Sequence, residues 1–289
     1  MSVSSEGSEH SHKDFFANSN PKFEGTIKKG KYHGENCKEY RKDKSIRYEG
    51  SFQDGKWHGQ GKKFFKNGEV EYEGGFTSGL FDSEEGTEFR DDVTKRYVGG
   101  FKEGKWEGKG IKYFDNEVVQ FDGTFVNRQV HGPACTENRM DGTLRYVGDF
   151  VEGRWEGSGI YYHSNGQKKY EGPFKNNVLD GNICLEYDDN GKKIFEGIMK
   201  HGKYHDKGVR YYHDGTVKFD GNFEKGRYVS GKEFREDGSI RYEGGYNRDR
   251  KFQGPGTFYL RNGDVKEQGE YKDGKLNGTE CKEYREGGI

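Results

Sequence analysis

Cysteine, histidine and carboxylate side chains are the groups of this chain that could ligate a metal, form disulfides or transfer protons. The sequence holds nine His, 50 Asp+Glu and four cysteines at Cys37, Cys135, Cys184 and Cys281. It contains no Ser nucleophile elbow, no phosphate-binding loop and no His-Glu-x-x-His pair. Whether any of these side chains can meet depends on the elements that position them.

A repeat of 24–25 residues organises the chain. Each copy opens with a ring, any residue and Gly, and most copies place a second ring two residues later. An eleventh, degenerate copy starts at Glu267 and keeps Gly269 and Tyr271. Odd and even copies alternate with a combined period of 49 residues. The first positions of the ten clear copies are Phe23, Tyr48, Tyr72, Tyr97, Phe121, Tyr146, Tyr170, Phe195, Phe219 and Tyr242.

Each copy predicts two short strands joined by turns. In the copy that starts at Tyr48, a strand over 48–52 is followed by a turn at 53–56 and a return strand over 57–65. Asn67-Gly68 at its end predicts a type I′ hairpin turn. Tyr48, Gly50 and Phe52 share one face of the strand, and the glycine leaves room for a ring of the neighbouring strand.

The composition fits this arrangement. Only 29% of residues are hydrophobic, against a usual ~45–50%, while 15% are aromatic and 47 are Gly. These are too few aliphatic side chains for a two-layer core and too many rings for disorder. We therefore expect an all-β fold, an elongated single-layer antiparallel meander of tandem β-hairpins without a large globular core. Rings of neighbouring copies supply its linear core.

The repeat separates the four cysteines. Each lies fourteen residues after the first position of an odd copy, and equivalent positions are roughly 19 Å apart at ~4.8 Å per strand. A disulfide needs Cα atoms within about 7 Å. Even copies hold Ile111, Ile160 and Val209 at the same offset, which predicts a small inward apolar position. We expect no disulfide, metal site, cofactor or catalytic residue, and no enzyme activity.

Three tryptophans and one tyrosine carry the interaction hypothesis. Trp57, Trp106 and Trp155 stand 49 residues apart at one position of consecutive even copies, and Tyr204 takes that position in the next. They are either members of the ring ladder or the lining of a groove that grips a partner, because Trp and Tyr dominate interface hot spots.

The segment Tyr48-Glu-Gly-Ser-Phe52-Gln-Asp-Gly-Lys-Trp57-His-Gly59-Gln-Gly61 resembles the MORN repeat, whose pattern is Tyr-x-Gly-x-aromatic, Gly, then His-Gly-x-Gly. The resemblance extends from residue 23 to about 289. It implies a non-enzymatic scaffold for protein–protein interaction, as in ciliary radial spokes, central-apparatus proteins and other cytoskeletal assemblies. The positions that carry the pattern most clearly are Tyr48, Gly50, Phe52, Gly59, Gly61, Tyr97, Gly99, Phe101, Tyr146, Gly148 and Phe150.

These features predict a polar N-terminal tail over residues 1–20, disordered in isolation, followed by the repeat array over 21–289. We expect a cytoplasmic protein of a ciliary axoneme or another microtubule-based assembly, with other proteins as partners and oligomerisation through sheet faces or edges. Two alternatives stay open: a phospholipid-binding membrane tether, which requires a basic outward stripe, and a bacterial immunity or antitoxin-type protein. The formal net charge of −1 disfavours nucleic acid and lipid.

Overall fold

The structure is a computed structural model that describes residues 8–278 and 282–283. In this part of the chain every regular secondary-structure element is a β-strand, which confirms the all-β prediction. Two compact units are present: Met1–Thr143 with Val151–Gly153, and Leu144–Phe150 with Arg154–Ile289. The strands of the first unit are β1 (His10–Phe15), β2 (Pro21–Lys28), β3 (Lys31–Tyr40), β4 (Ile46–Gln53), β5 (Lys56–Phe64), β6 (Val70–Thr77), β7 (Leu80–Phe81), β8 (Ser83–Phe89), β9 (Lys95–Lys102), β10 (Lys105–Tyr113), β11 (Val119–Val126), β12 (Gln129–Val130) and β13 (Gly132–Asn138).

The strands of the second unit, of which the last residue of β14 groups with the first unit, are β14 (Leu144–Val151), β15 (Arg154–Tyr162), β16 (Lys168–Lys175), β17 (Val178–Leu179), β18 (Gly181–Tyr187), β19 (Lys193–Lys200), β20 (Lys203–Tyr211), β21 (Val217–Glu224), β22 (Arg227–Phe234), β23 (Ile240–Tyr246), β24 (Phe252–Tyr259), β25 (Val265–Lys272), β26 (Lys275–Leu276) and β27 (Lys282–Glu283).

Each unit is an antiparallel meander in which a strand pairs with the strands before and after it in the chain. β4, for example, pairs with β3 through Tyr48↔Glu39 and with β5 through Tyr48↔Lys63. In several odd copies the return strand is broken in two, as in β7 and β8. The predicted meander of two-stranded copies is therefore confirmed, with its irregularities on the odd copies.

The N-terminal segment differs from the prediction of disorder. Residues His10–Phe15 form β1, which pairs antiparallel with β2 from His10↔Ile27 to Asp14↔Phe23. β1 thus acts as the return strand of an incomplete copy in front of the first one. The sequence did not predict this strand, because its residues are mostly polar on both faces and show no alternation of apolar and polar residues.

Rings over glycines form the core of each unit. The Tyr48 ring is buried, stacks on Trp57 at 4.7 Å between centroids, and meets Phe52 edge-on at 5.3 Å. Its hydroxyl donates to the Ser51 carbonyl at 3.0 Å. The ring lies over Gly61 of the next strand so closely that a Cβ there would be 2.7 Å from Tyr48 Cε2. The glycines therefore give clearance to rings, as predicted.

The burial of the cysteines confirms the predicted inward position, and their strand pairing corrects the comparison with the even copies. Cys37, Cys135 and Cys184 are fully buried, and Cys37 and Cys184 carry free thiols, whereas Cys281 lies outside the described residues. Cys37 pairs with Gly50 across the strands, and Gly61 pairs with the same Gly50 from the other side. The structural counterpart of Cys37 is therefore a glycine position.

The comparison of the cysteines with Ile111, Ile160 and Val209 is wrong by one residue. Ile111 pairs with Val98 and Asp122, and Val209 pairs with Glu196 and Asp220, on the opposite face. The odd copies that contain these cysteines have one additional residue in the return strand, as at Asn36, which has φ 54°. A shift of one residue moves a side chain to the other face of a sheet.

The turn assignment is also corrected. Type I′ turns, which need positive φ at both central residues, occur between the two strands of a copy, as at Asp54 (φ 51°) and Gly55 (φ 81°). At Asn67-Gly68 only the glycine has positive φ, at 94°. There the Asn67 side chain accepts a hydrogen bond from the Glu69 amide at 3.0 Å, which makes a longer Asx-type turn.

Candidate functional site

The four aromatics proposed to grip a partner lie within the ring ladder. Trp106 and Trp155 expose 6% and 8% of their surface, while Trp57 and Tyr204 are half-buried. Each stacks on the first ring of its own copy, at 4.6 Å for Trp106 on Tyr97 and 3.8 Å for Tyr204 on Phe195. Most of their ring surface therefore contacts other rings, and a partner-binding role for their edges stays a prediction.

Beside these rings runs a row of carboxylates that sequence reasoning missed. Its members pair in register with first rings of the copies, as Glu39 does with Tyr48. Three of them are buried: Glu88, Glu137 and Glu233, exposed by 6%, 8% and 7%. The signal in the sequence is a carboxylate at nearly the same 49-residue period as the tryptophans: Glu39, Glu88, Glu137, Glu186 and Glu233. We call the face that carries rings and carboxylates the ring face.

These carboxylates accept hydrogen bonds from the same aromatics. Trp57 Nε1 donates to Glu39 and Trp106 Nε1 donates to Glu88, both at 2.7 Å, and the Tyr204 hydroxyl donates to Glu186 at 2.5 Å. Buried indole N–H and phenol O–H groups need such acceptors. The ring ladder is therefore tied together by polar bonds as well as by packing.

For the first copy, Asp14 of β1 supplies the carboxylate of this row. It accepts a hydrogen bond from the Tyr32 hydroxyl at 2.7 Å and forms an ion pair with Lys22 at 3.2 Å. The Tyr32 hydrogen bond, with Lys22 second, holds the pKa of Asp14 below its usual value of 3.8. A residue of the expected tail thus completes the ring face.

We expect acid to release β1. Because the pKa of Asp14 is lowered by folding, its contribution is present above the ordinary value of 3.8 and is lost as the pH falls through the lowered folded value. Amide hydrogen exchange of residues 10–15 should therefore accelerate relative to β4 as the pH falls below about 4. Asp14→Asn should reduce that differential change, with the remainder coming from Glu24, whose pKa the hydrogen bond from Lys13 of β1 lowers, and unchanged acid behaviour in this variant would contradict the assignment.

The opposite, outer face carries a cross-strand row of charges. From β1 to β6 of the first unit the row alternates in sign, and three of its pairs are ion pairs with N···O distances of 2.6, 3.3 and 2.8 Å. Its members in strand order are Lys13, Glu24, Lys38, Glu49, Lys62 and Glu73. In the second unit the row from β16 to β23 is mainly acidic and apolar: Glu171, Leu185, Glu196, Val209, Asp220, Lys232 and Glu243.

Next to this row the outer face presents a half-exposed aromatic at the end of nearly every copy. The hydroxyls of Tyr40 and Tyr187 reach outer-row carboxylates, Glu24 at 3.4 Å and Glu171 at 3.1 Å, which fixes their face. An aliphatic residue often stands opposite across the turn. Such pairs are Tyr40↔Ile46, Phe64↔Val70, Tyr113↔Val119, Tyr211↔Val217, Phe234↔Ile240 and Tyr259↔Val265.

Other classes of site find little support within residues 8–278 and 282–283. There is no group of three or more His, Cys, Asp or Glu side chains in this range that could hold a metal ion. No helix with the length and apolarity needed to cross a membrane is found there either. Two surface depressions, one beside His58 and Glu84 and one beside Arg241 and Arg250, are open and polar.

Comparison with known families gives matches in both units. A profile described as MORN repeat matches residues 48–70, 97–117, 195–217 and 268–279. A profile described as MORN repeat variant matches residues 155–176 and 252–273. No curated protein matches the chain. The matched segments fall on copies of the hairpin repeat described above.

Proposed function

Since this chain belongs to the MORN-repeat family, we propose that it is a non-enzymatic scaffold that binds other proteins along its repeat sheet. MORN repeats indicate a role in protein interaction or membrane binding. The observation that favours protein interaction is the outer face, where half-exposed aromatic and aliphatic side chains recur copy after copy. Aromatic residues bordered by polar groups are typical of protein interfaces.

The charges of the outer face disfavour the membrane alternative. Binding to anionic lipid requires a surplus of Lys and Arg on the surface that faces the membrane. In the first unit each Lys of the outer row stands next to a Glu, for example Lys62 Nζ at 2.8 Å from Glu73. In the second unit the row is mainly acidic and apolar, with Glu171 and Glu196 among its members. Neither row offers the basic stripe that a tether needs.

The setting that we propose is a ciliary axoneme, of radial-spoke or central-apparatus type, or another microtubule-based assembly. Support for it comes from the family and from the repetition of the outer face. An array of similar hairpins can contact a long partner at several successive copies, and each contact adds to the avidity of the whole. That property suits a cytoskeletal scaffold.

The experiment is affinity purification of the full chain from its native source, with a matched outer-face variant. Phe64→Ser with Phe89→Ser removes two half-exposed rings of the outer face without touching the ring ladder. We expect specific proteins to co-purify with the wild-type chain and to be lost with the variant, and we expect them to include axonemal components. Salt-sensitive sedimentation with anionic liposomes, together with loss of no protein in the variant, would favour the tether instead.

A further inference from the structure

On the ring face, several charged residues that pair with first rings form an ion pair with the residue eight positions later. The partner carries the opposite charge in every ion pair of this type that the described residues form. The pairs are Asp14–Lys22 (3.2 Å), Glu39–Arg47 (2.9 Å), Lys63–Glu71 (2.5 Å), Glu88–Arg96 (3.2 Å) and Glu233–Arg241 (3.2 Å). In these five pairs the half-buried charge is compensated locally.

A second partner stands eighteen positions after the carboxylates. It is an aromatic donor whose N–H or O–H the carboxylate accepts. The pairs are Asp14–Tyr32, Glu39–Trp57, Glu88–Trp106 and Glu186–Tyr204. In each of these copies, therefore, the N–H or O–H of the aromatic ring donates a hydrogen bond to a carboxylate.

Arg210 breaks both relations. It pairs in register with Phe195 and Phe219, as the other members of the row pair with first rings. Eight positions later stands Lys218, which is a like charge, and eighteen positions later stands Tyr228, whose hydroxyl faces a guanidinium instead of a carboxylate. Tyr228 stacks on Phe219 at 3.7 Å and is 5% exposed. The Tyr228 hydroxyl and Arg210 Nε are both buried and have no hydrogen-bond partner among the residues that the structure describes.

The surroundings add positive charge. The Arg250 guanidinium lies over the Tyr228 ring at 4.4 Å from its centroid. Burial lowers the pKa of Lys218, and the positive charges of Arg210 and Arg250 lower it further. The neighbouring carboxylate, Glu233, is already used: it pairs with Arg241 at 3.2 Å and accepts the Tyr246 hydroxyl at 3.1 Å, and Arg250 approaches it only to 3.8 Å. Arg250 therefore has only a long ion pair with Glu233, while Arg210 Nε and the Tyr228 hydroxyl have no acceptor among the described residues.

We propose that Arg210, Lys218, Tyr228 and Arg250 form a binding site for the carboxylate of an acidic side chain from a partner protein. A carboxylate is the group that fills the equivalent position in four other copies, where Asp14, Glu39, Glu88 and Glu186 supply it within the chain. Here none of the described residues supplies it, and a partner provides it in trans. The site deepens the proposed scaffold function and rests on it.

The position of Arg250 provides the entry. Its side chain is 52% exposed, at the edge of the open depression that Arg241, Lys251 and Phe252 also line. An exposed arginine can turn outward and close on the incoming group, because its guanidinium has donors to spare. Glu233 and Asp249 border the same depression. Their negative charge favours a singly charged carboxylate over a doubly charged phosphate.

Binding is measured by NMR on the full chain labelled with ¹⁵N, at constant ionic strength, by following the Arg210 Nε–Hε signal. The probes are sodium acetate, the capped peptide acetyl-Gly-Glu-Gly-amide and inorganic phosphate. We expect a saturable shift with acetate and with the peptide. Tyr228→Phe should weaken both about tenfold, equivalent to ~1.4 kcal/mol, because it removes one hydrogen bond to a charged group.

Tyr32→Phe is the matched control, since its hydroxyl already donates to Asp14, and it should leave acetate affinity unchanged. The proposal is overturned if acetate gives no more shift than chloride, if Tyr228→Phe binds as tightly as wild type, or if phosphate binds as tightly as acetate. Arg210→Glu places a carboxylate in the chain itself. It should abolish acetate binding and raise the melting temperature by about 2–4 °C.

Failure of the site and failure of the scaffold function give different results. If partner proteins co-purify equally with wild-type and Arg210→Glu chains and acetate does not bind, the site is wrong and the scaffold function stands. If acetate binds as expected but no protein co-purifies with the wild-type chain, the site stands as a carboxylate site and the scaffold function is wrong.

Discussion

Trp106→Ala should lower the free energy of unfolding of the segment around β9–β11 by about 3–5 kcal/mol, the usual range for deleting a buried tryptophan. The ring is 6% exposed, stacks on Tyr97 at 4.6 Å and meets Phe125 edge-on at 6.0 Å. Its loss also leaves the buried Glu88 without the donor that lies 2.7 Å away. Urea unfolding followed by circular dichroism and hydrogen exchange measures the effect.

Because repeat arrays are stabilised by contacts between neighbours, the loss should be local, with the fastest exchange in β9, β10 and β11. Trp106→Phe is the matched variant: it keeps a ring and loses the N–H, so we expect about 1–3 kcal/mol, mainly from the lost hydrogen bond to the buried Glu88 carboxylate. The opposite outcome is also informative. If Trp106→Ala leaves stability unchanged and removes partner binding, the tryptophans line an interaction groove and the ladder is not their main role.

The sequence was sufficient for the repeat, the all-β class, the strand pairing and the ring-over-glycine core. All of these follow from period and alternation, which are local properties of the chain. The face of Ile111 could not be predicted from its offset, because one additional residue in the odd copies reverses the side to which the following side chains point. The strand at 10–15 was missed for a related reason: its partner, β2, defines it, and its own residues do not.

The charged features of the ring face were harder to find. Glu88 and Lys62 look alike in a sequence in which 34% of residues are charged, yet Glu88 is buried and Lys62 is exposed. Only the strand register shows that Glu88 lies on the ring face and Lys62 on the outer face. The exception at Arg210 becomes visible once the eight- and eighteen-residue relations are known, and those relations come from contacts across strands.

Gly110→Ala should be the most damaging small substitution in the first unit, at about 3 kcal/mol or more, which is the upper range for overpacking. A Cβ at Gly110 would be 2.7 Å from Tyr97 Cε2 and nearer still to Cζ and the hydroxyl oxygen. The Tyr97 ring cannot give way, because it is fully buried between Trp106 and the edge-on ring of Phe101 at 5.2 Å. Chemical denaturation of the purified variant measures the loss.

Gly104→Ala is the control that separates packing from backbone strain. Gly104 has φ +79°, and no atom lies within 4 Å of the position that a Cβ would take, so alanine there costs only the left-handed conformation, about 1–2 kcal/mol. Tyr97→Phe added to Gly110→Ala should recover little, because the ring carbons themselves occupy the space. Equal losses at Gly104 and Gly110 would mean that the rings can move aside, and that the glycines of this array serve its turns rather than its core.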